Sequence, residues 1–303
     1  MADTLTKSEL KWFKRDTCPV CHRSRWKELY NERLIRLLKC KDCGVKFLNP
    51  CLDESSTASI YQSSDTLKEI NPFLEHYYEE SPDQVWNSIT GKDYKKVLDW
   101  AAKHAPGKDI LDVASGNGIF LGFAKKRGWR CEGVDPSEKN ADFVELQYDV
   151  PVAVSGFLEY DQFDRQYDLI TFWDFIEHPP KPSLYIQKVK NHLKPGGVFV
   201  LATPNVDNLL NKTAETLYKI SGRQISSPMK KMYTVEHACY FDLRTLTELL
   251  DRNGFKIIHH FYTETYLDRY ALPWHMKLGI KTFLLMNRIL KKQNRLVVFA
   301  VKK

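Results

Sequence analysis

Long hydrophobic runs, low-complexity tracts and blocks of like charge are all missing from this sequence of 303 residues. Without a run of about 18 apolar residues, no transmembrane helix is expected. The N-terminal segment is polar and lacks the apolar core of a secretory signal. The rest, 43% hydrophobic and 27% charged with a mean hydropathy of −0.43, is typical of a globular protein. The length suits one catalytic domain with a small accessory unit.

Charge and cysteine content narrow the class further. The net charge of +7 is a modest excess that can help to bind phosphate, nucleic acid or an anionic membrane, although many basic proteins carry as much without such a role. No block of five or more like charges marks a nucleic-acid tail. The seven cysteines are an odd number without a signal peptide, which argues against a disulfide scaffold and predicts a reducing, cytoplasmic location.

Four cysteines near the N-terminus are arranged as two C-x2-C pairs separated by 18 residues: Cys18, Cys21, Cys40 and Cys43. This spacing predicts a tetrahedral zinc site on a short β-ribbon, whose folding energy the metal supplies. The ligand shell is full, so the zinc should be structural and residues 1–50 should form the module. A redox pair is the alternative, but it would need a thioredoxin-like βαβ context that the sequence lacks.

Residues 51–93 are mixed and rich in aromatic side chains, and we interpret them as a linker and helical cap. Tyr77, Tyr78 and Trp86 are candidates to line the entrance to a cofactor site. The alternative is that they pack in a hinge or core, as aromatic residues often do.

From residue 94 to residue 303 the sequence alternates between strands and helices, which predicts a doubly wound α/β domain. Its predicted strands include DILDV, RCEGVD, VAV, YDLITFW, VFVLATP and the C-terminal RLVVFAV. Amphipathic segments such as DYKKVLDWAAKH separate them as helices.

A glycine-rich loop follows the first predicted strand, in the segment VASGNG. Gly116 and Gly118 allow a tight turn and a close approach to a ligand, and the next helix offers free N–H groups at its start. Asp135 ends the second strand, where a carboxylate can accept hydrogen bonds from a ribose diol. These features predict a nucleoside-containing cofactor.

The dinucleotide fingerprint G-x-G-x-x-G/A does not fit this loop. Counting from Gly116 and Gly118, its third small residue would fall on Leu121. Asp112 would also repel a pyrophosphate, whereas a carboxylate there suits the ammonium group of S-adenosylmethionine.

Several motifs in order carry a family resemblance over residues 94–205. ILDVASGNG resembles motif I of the class I S-adenosylmethionine-dependent methyltransferases, and EGVDPS, YDLITFWDFIEHPPKP and LKPGGVFVLATPN are similar to their later motifs. The subgroup with the closest resemblance is the ubiquinone-biosynthesis-like one, and the N-terminal cysteine module resembles that of bacterial members with a zinc ribbon. The resemblance implies a Rossmann-like, seven-stranded sheet whose last strand is antiparallel.

The same resemblance assigns the methionine end of the cofactor to the glycine loop. Asp112, Gly116 and Gly118 would hold it. The family pattern has glycine at the first position of the loop, where this chain has Ala114, and the extra methyl group is expected to weaken or reshape cofactor binding.

The other end of the cofactor is assigned in the same way. Asp135 would bind the ribose hydroxyls beside Pro136 of the EGVDPS motif, and Gly156 and Phe157 would flank the adenine.

The segment WDFIEH, after the fourth strand, is the first candidate for the reaction itself. By resemblance, Trp173 and Asp174 would close the site near the sulfonium, with core packing as the alternative for Trp173. His178 is the candidate general base, because imidazole titrates near neutrality, and Glu177 would orient it. Alternatively, Glu177 and His178 only cap a helix or hold the loop. Asp174, Glu177 and His178 share a helical face, which also suits a divalent cation.

A second candidate segment, EHACYFDLRTL, resembles one that reaches the active site in this subgroup. His237 and Tyr240 are its candidate contacts to the acceptor. A helix capped by Asp242 with Tyr240 packed beneath it is the alternative.

Two segments are candidates for the acceptor side. Residues 206–236 form an insertion that we expect to be helical and to cover the substrate, with Arg223, Lys230 and Lys231 facing an anionic acceptor or simply solvent. The segment LPWHMKLGIKTFLLMNRILKK is a basic amphipathic helix that fits a membrane surface, a lipid-linked acceptor or packing on the domain.

Together these observations predict an enzyme that transfers a methyl group from S-adenosylmethionine to O or N, with C as a third choice, of a small-molecule acceptor such as a sugar, a lipid-linked compound or a secondary metabolite. An RNA methyltransferase is the main rival, but no aromatic-basic patch supports it. A non-catalytic scaffold of the same fold is a third reading, and Ala114 is its only support.

Overall fold

A central sheet of seven strands forms the larger, C-terminal part of the molecule. The computed structural model describes residues 10–32, 34–62, 81–162, 165–265 and 274–303, so Tyr77 and Tyr78 lie outside the described residues. The strands, in chain order, are β1 (Trp12–Phe13), β2 (Trp26–Glu32), β3 (Ile35–Cys40), β4 (Lys46–Leu48), β5 (Cys51–Leu52), β6 (Asp109–Val113), β7 (Arg130–Asp135), β8 (Val152–Val154), β9 (Tyr167–Trp173), β10 (Leu193–Pro204), β11 (Cys239–Tyr240), β12 (Phe255–Thr263) and β13 (Arg295–Lys302).

The strand order of the central sheet is β12-β13-β10-β9-β6-β7-β8. Strands β6 to β10 pair in parallel, whereas β13 is antiparallel to both of its neighbours, β10 and β12. The expected Rossmann-like sheet with an antiparallel last strand is therefore confirmed. Strand β9 reads YDLITFW because a central parallel strand is covered on both faces.

Helices connect and cover these strands. In chain order they are α1 (Glu54–Gln62), α2 (Pro82–Asn87), α3 (Ile89–His104), α4 (Ile119–Lys125), α5 (Glu138–Tyr148), α6 (Pro182–His192), α7 (Leu209–Ile220), α8 (Ser227–Met232), α9 (Leu243–Arg252) and α10 (Trp274–Ile289). Several begin at side-chain caps, such as Ser88 before α3, Ser137 before α5 and the Asp242–Thr245 capping box of α9. None of the described helices combines the length and apolar character needed to cross a bilayer.

Successive residues of the central strands face opposite sides of the sheet. Ile110 packs into the cluster that contains Val97 and Leu98 of α3, whereas Leu111 belongs to the cluster that contains Ile186 of α6. Because side chains alternate along each strand, one strand contributes to the hydrophobic core on both faces of the sheet. Open α/β sheets bind their ligands at the carboxyl ends of the strands, which here are the ends of β6, β7 and β9.

The N-terminal ribbon shares a four-stranded sheet with a strand from the C-terminal part. Strand β4 pairs antiparallel with β11, so that Phe47 lies opposite Cys239, and the Leu48 amide donates to the Ala238 carbonyl at 3.0 Å. One continuous hydrophobic cluster contains residues of both parts, including Phe47 and Phe241. The boundaries drawn from the sequence, at residue 50 for the ribbon and at residue 94 for the α/β domain, remain predictions. The sequence did not predict that the two parts share a sheet.

The insertion at residues 206–236 contains α7 and α8, as expected from its sequence. Asn287 of α10 is fully buried and its Oδ1 accepts from the Leu209 amide at 2.9 Å, which attaches α10 to the start of α7. The outer face of α10 is apolar, with Leu285 57% and Ile289 73% exposed.

Candidate active site

A cavity of about 680 Å³ opens at the carboxyl ends of β6, β7 and β9. Most of the residues that the sequence assigned to cofactor binding line it: Ala114, Gly116, Asp135, Pro136, Gly156, Phe157, Trp173 and Asp174. His178 lines it as well. Asp112, Gly118, Glu177, His237 and Tyr240 are outside its lining.

The glycine loop adopts left-handed backbone at three positions. Ala114 has φ +54°, Gly116 φ +54° and Gly118 φ +65°. A Cβ on Gly116 would meet no described atom within 4 Å, because this residue faces the cavity, whereas a Cβ on Gly118 would lie 2.5 Å from Val144. Gly116 therefore leaves room for a ligand and Gly118 for helix packing. At Ala114 this backbone is strained, since an L-residue in the left-handed region costs about 1–2 kcal/mol.

Asp112 lies one layer behind the cavity wall that Val113 and Ala114 form. Its side chain is buried, and the Thr171 hydroxyl donates to its Oδ1 at 2.6 Å. Burial raises the pKa of Asp112 to about 8, and the nearby Asp135 adds to the rise. A cationic ligand group would favour its ionised form.

Asp135, at the end of β7, organises the loop around it. Its Oδ2 accepts from the Gly116 amide at 2.8 Å, and its Oδ1 accepts from the Ser137 amide at 3.0 Å and from Asn140 Nδ2 at 3.1 Å. A carboxylate has about four lone-pair sites, so one site on Oδ2 is left for a ligand hydroxyl. Burial raises the pKa of Asp135, against these three hydrogen bonds, which lower it.

Aromatic side chains form the two ends of the cavity. Phe157 is 4% exposed and stacks on Tyr185 at 6.4 Å between ring centroids, which leaves a flat apolar surface at one end. At the other end, Trp173 packs edge-on against Tyr94 at 4.5 Å. Trp173 thus both lines the cavity and packs in the core, so its two sequence interpretations are compatible.

An ion pair between a buried arginine and a partly exposed aspartate fixes the start of the loop after β9. Arg295, the first residue of β13, donates to Asp174 Oδ1 at 3.0 Å through Nε and to Oδ2 at 2.8 Å through Nη2. Its guanidinium also lies 5.7 Å from the Trp173 ring centroid. The sequence analysis missed Arg295, because only the antiparallel insertion of β13 brings it next to β9. Bidentate pairing of this kind fixes both partners geometrically.

His178 has one ring nitrogen fixed and the other directed to the Tyr61 hydroxyl. Nδ1 lies 2.9 Å from the Glu236 carbonyl oxygen, which can only accept, so Nδ1 carries the proton. Nε2 is then the basic nitrogen, 3.5 Å from the Tyr61 hydroxyl. Burial lowers the pKa of His178, which keeps the ring neutral. The orienting partner differs from the predicted one, since the Glu236 carbonyl and not the Glu177 carboxylate holds Nδ1.

The other catalytic candidates lie near His178 but do not line the cavity. Glu177 is 2% exposed and its Oε2 accepts from the Thr203 hydroxyl at 2.9 Å. The His237 ring lies 4.8 Å from the His178 ring, and burial and this neighbour lower the pKa of His237. The Tyr240 hydroxyl donates to the Thr234 carbonyl at 2.7 Å, in a buried position away from the cavity. Tyr240 therefore has the packed position that was its alternative interpretation.

The N-terminal part of the chain supplies residues that the sequence analysis did not assign to the site. Phe13 of β1 and five residues of α1, among them Glu54 and Tyr61, line the cavity next to the loop that carries His178. No motif marks these residues, because their position depends on the docking of the ribbon.

The four ribbon cysteines converge as the spacing predicted. All four are buried, and their Sγ atoms lie within 4.8 Å of one another, with Cys18–Cys43 and Cys21–Cys40 both at 3.5 Å. Tetrahedral zinc with bonds of about 2.3 Å holds sulfurs roughly 3.8 Å apart. The donor set and its spacing thus fit structural zinc.

Comparisons with known proteins agree with this geometry. A family model described as a methyltransferase domain matches residues 86–260, more than half of the chain. The ubiquinone biosynthesis O-methyltransferase of Psychrobacter arcticus is 29% identical over 152 residues, which cover 46% of this chain and 55% of that protein. The protein of the same name from Paramagnetospirillum magneticum is 33% identical over 114 residues, 36% of this chain and 43% of that protein. The chain thus matches about half the length of these relatives.

Solved structures show the same fold. Magnesium protoporphyrin IX methyltransferase from Synechocystis, with bound S-adenosylhomocysteine, superposes with a TM-score of 0.53 and 16% identity over 83% of this chain and 100% of that chain. A methyltransferase from Archaeoglobus fulgidus has a TM-score of 0.50 and 20% identity over 76% of this chain and 98% of that chain. With the family match, this fold places the chain in the family of proteins with a methyltransferase domain.

Proposed function

We propose that the protein transfers a methyl group from S-adenosylmethionine to a small-molecule acceptor. The observation that carries the proposal is the arrangement at the ends of β6 and β7. Gly116 leaves its open side to the cavity, and the Asp135 carboxylate has one acceptor site on Oδ2 that its three protein donors do not use. This combination suits a ribose hydroxyl beside a closely approached backbone.

The residues along the cavity support one orientation of the cofactor. The methionine end would lie at the loop of Ala114 and Gly116, in front of Asp112. The ribose would lie at Asp135, and the adenine would lie against Phe157. The sulfonium end then points to Trp173 and His178, where the cavity is lined by the loop after β9 and by α1.

S-adenosylmethionine supplies an electrophilic methyl group when it is bound. The chain has to hold the acceptor in line with that group and remove its proton. His178 fits the second task, because its Nε2 is unprotonated and the ring borders the cavity. Tyr61 is placed to hold the same acceptor atom, since its hydroxyl lies 3.5 Å from that nitrogen.

The acceptor is proposed to be a sugar, a lipid-linked compound or a secondary metabolite that reacts at oxygen or nitrogen, with carbon as a third choice. The names of the relatives, O-methyltransferases of ubiquinone biosynthesis, favour an oxygen. We further propose that the insertion of α7 and α8 covers the acceptor. The exposed apolar face of α10 would contact a lipid-linked acceptor or the membrane that holds it.

RNA is a second candidate acceptor because of one basic pocket on the ribbon. Lys27, Lys39, Lys41 and Arg244 line it, and Lys27 lies directly opposite Lys39 in the strand pairing. Like charges in such positions destabilise a sheet, which favours a binding role for them. Affinity for a small structured RNA that falls steeply with salt would support this candidate.

The test of the proposed function is methyl transfer from radiolabelled S-adenosylmethionine to a panel of catechols, sugar nucleotides, amines and structured RNA. The account predicts label in at least one small molecule, and its loss in His178→Gln while binding of S-adenosylhomocysteine is retained. Asp99→Asn on the exposed face of α3 is the control and should keep full activity. Transfer that is unchanged in His178→Gln would remove His178 from the mechanism.

A further inference from the structure

Three side chains that come from two loops converge behind the cavity wall. Glu177, His178 and His237 each offer one ligand atom, and these atoms lie within 4.8 Å of one another. Glu177 and His178 follow β9, whereas His237 precedes β11, so only the fold brings the third ligand to the other two. Two imidazoles and one carboxylate are a ligand set that divalent transition metals prefer.

A second observation points to a ligand at this place. Glu177 is 2% exposed, and its Oε1 is buried without a hydrogen-bond partner among the described residues. A buried carboxylate oxygen that is left unpaired costs free energy. A cation between Glu177 and the two histidines would remove that cost.

The groups around the ligands orient them as they do in metal centres. The Glu236 carbonyl accepts from Nδ1 of His178 and thereby leaves Nε2 as the ligand atom. The Thr203 hydroxyl donates to Oε2 of Glu177 and leaves Oε1 available. Outer hydrogen bonds that fix the tautomer and the carboxylate in this way are typical of built metal sites. Asp174, which the sequence grouped with Glu177 and His178, is instead paired with Arg295.

We propose that Glu177, His178 and His237 bind one divalent cation at the edge of the cavity. Of the three ligands only His178 lines the cavity, so the cation would border the acceptor on the His178 side. The cation would hold an oxygen of a hydroxylated acceptor, and a hydroxyl bound to a divalent metal releases its proton to water more easily. This consequence rests on the proposed function, whereas cation binding itself does not.

The lone pair on Nε2 of His178 then serves either as a base or as a metal ligand. In the cation-free protein Nε2 is available as a base, and in the cation-bound protein it is a ligand. Acceptors with two neighbouring hydroxyl groups are the class that such a site selects, because both oxygens can bind the same cation.

The experiment uses the full chain with zinc in the ribbon and follows Mn²⁺ by the loss of its free EPR signal. Mn²⁺ is the probe because carboxylate and imidazole ligands bind it, whereas the four thiolates of the ribbon favour zinc. We expect one Mn²⁺ per chain in addition to the zinc. His237→Ala and Glu177→Gln should each weaken it at least about tenfold. His260→Ala, at an exposed histidine on β12, is the matched control and should bind as the wild type does.

Thr203→Ala tests the outer hydrogen bond and should weaken Mn²⁺ binding about 10- to 100-fold while leaving all three ligands in place. Melting temperature and zinc content show whether each variant is folded. If the ligand variants do not fold, the wild type and Thr203→Ala decide. Absence of Mn²⁺ binding in the wild type, or equal binding in every folded variant, would overturn the site. S-adenosylhomocysteine titration of the same samples tests the proposed function separately.

Discussion

Replacing Asp135 with asparagine keeps the shape of the side chain but removes its charge and one acceptor. In the wild type, Oδ1 accepts two hydrogen bonds, from Ser137 and Asn140, and Oδ2 accepts one from Gly116. The amide oxygen of the variant has to remain at the Oδ1 position to keep two donors satisfied. Its NH2 group would then face the Gly116 amide, donor against donor, and could not accept a ribose hydroxyl.

The expected loss of affinity follows from the one hydrogen bond to the ligand that the variant cannot make. One hydrogen bond between a ligand hydroxyl and a charged group contributes about 1.5–3 kcal/mol. Its loss corresponds to binding weaker by about 10- to 150-fold. We expect Asp135→Asn to weaken S-adenosylhomocysteine by that factor in calorimetric titration, at a temperature where circular dichroism shows the variant folded.

The control is Lys139→Ala, at an exposed position of α5 that does not line the cavity, which leaves the Asp135 carboxylate and its three donors intact. Substitution of an exposed residue away from the cavity should change the affinity by less than about threefold. The reasoning is refuted if Asp135→Asn binds within threefold of the wild type, or if both variants lose affinity equally.

Three further predictions follow from single features. Ala114→Gly should stabilise the protein by about 0.5–1 kcal/mol in denaturant unfolding, because relief of the left-handed backbone exceeds the added chain entropy; a loss of stability would mean that the methyl group packs. Burial raises the pKa of Asp112 from its usual value near 3.8 to about 8, so wild-type stability should fall as pH rises from about 4 to 8, and Asp112→Asn should flatten that fall; equal slopes would contradict the burial argument. Cys43→Ser should release zinc, lower the melting temperature and reduce turnover, since β4 holds β11; normal turnover without zinc would separate the ribbon from the site.

Much of the fold was predictable because its signals are local. The apolar strand before the glycine loop, the acidic end of β7 and the Pro-Gly-Gly segment before the apolar part of β10 each follow from periodicity or turn chemistry. Gly116, Asp135, Phe157 and His178 then fall at the carboxyl edge of one sheet, because parallel strands bring their ends together.

The rest depends on contacts between distant segments, which no local pattern encodes. Arg295 is 121 residues from Asp174 in the chain and becomes its partner only through the insertion of β13 between β10 and β12. Tyr61 and Phe13 reach the cavity only because the ribbon docks through β4 and β11. The partner of His178 was missed for the same reason, since a backbone carbonyl carries no residue signature.

The central claim is that this cavity binds S-adenosylmethionine. Calorimetric titration of the zinc-loaded protein with S-adenosylhomocysteine, with NAD as the control ligand, tests it most directly. The account predicts one site per chain with micromolar affinity for the former, typical of small-molecule sites, and no binding of the latter. Binding of NAD, or no binding of S-adenosylhomocysteine by the folded protein, would contradict it.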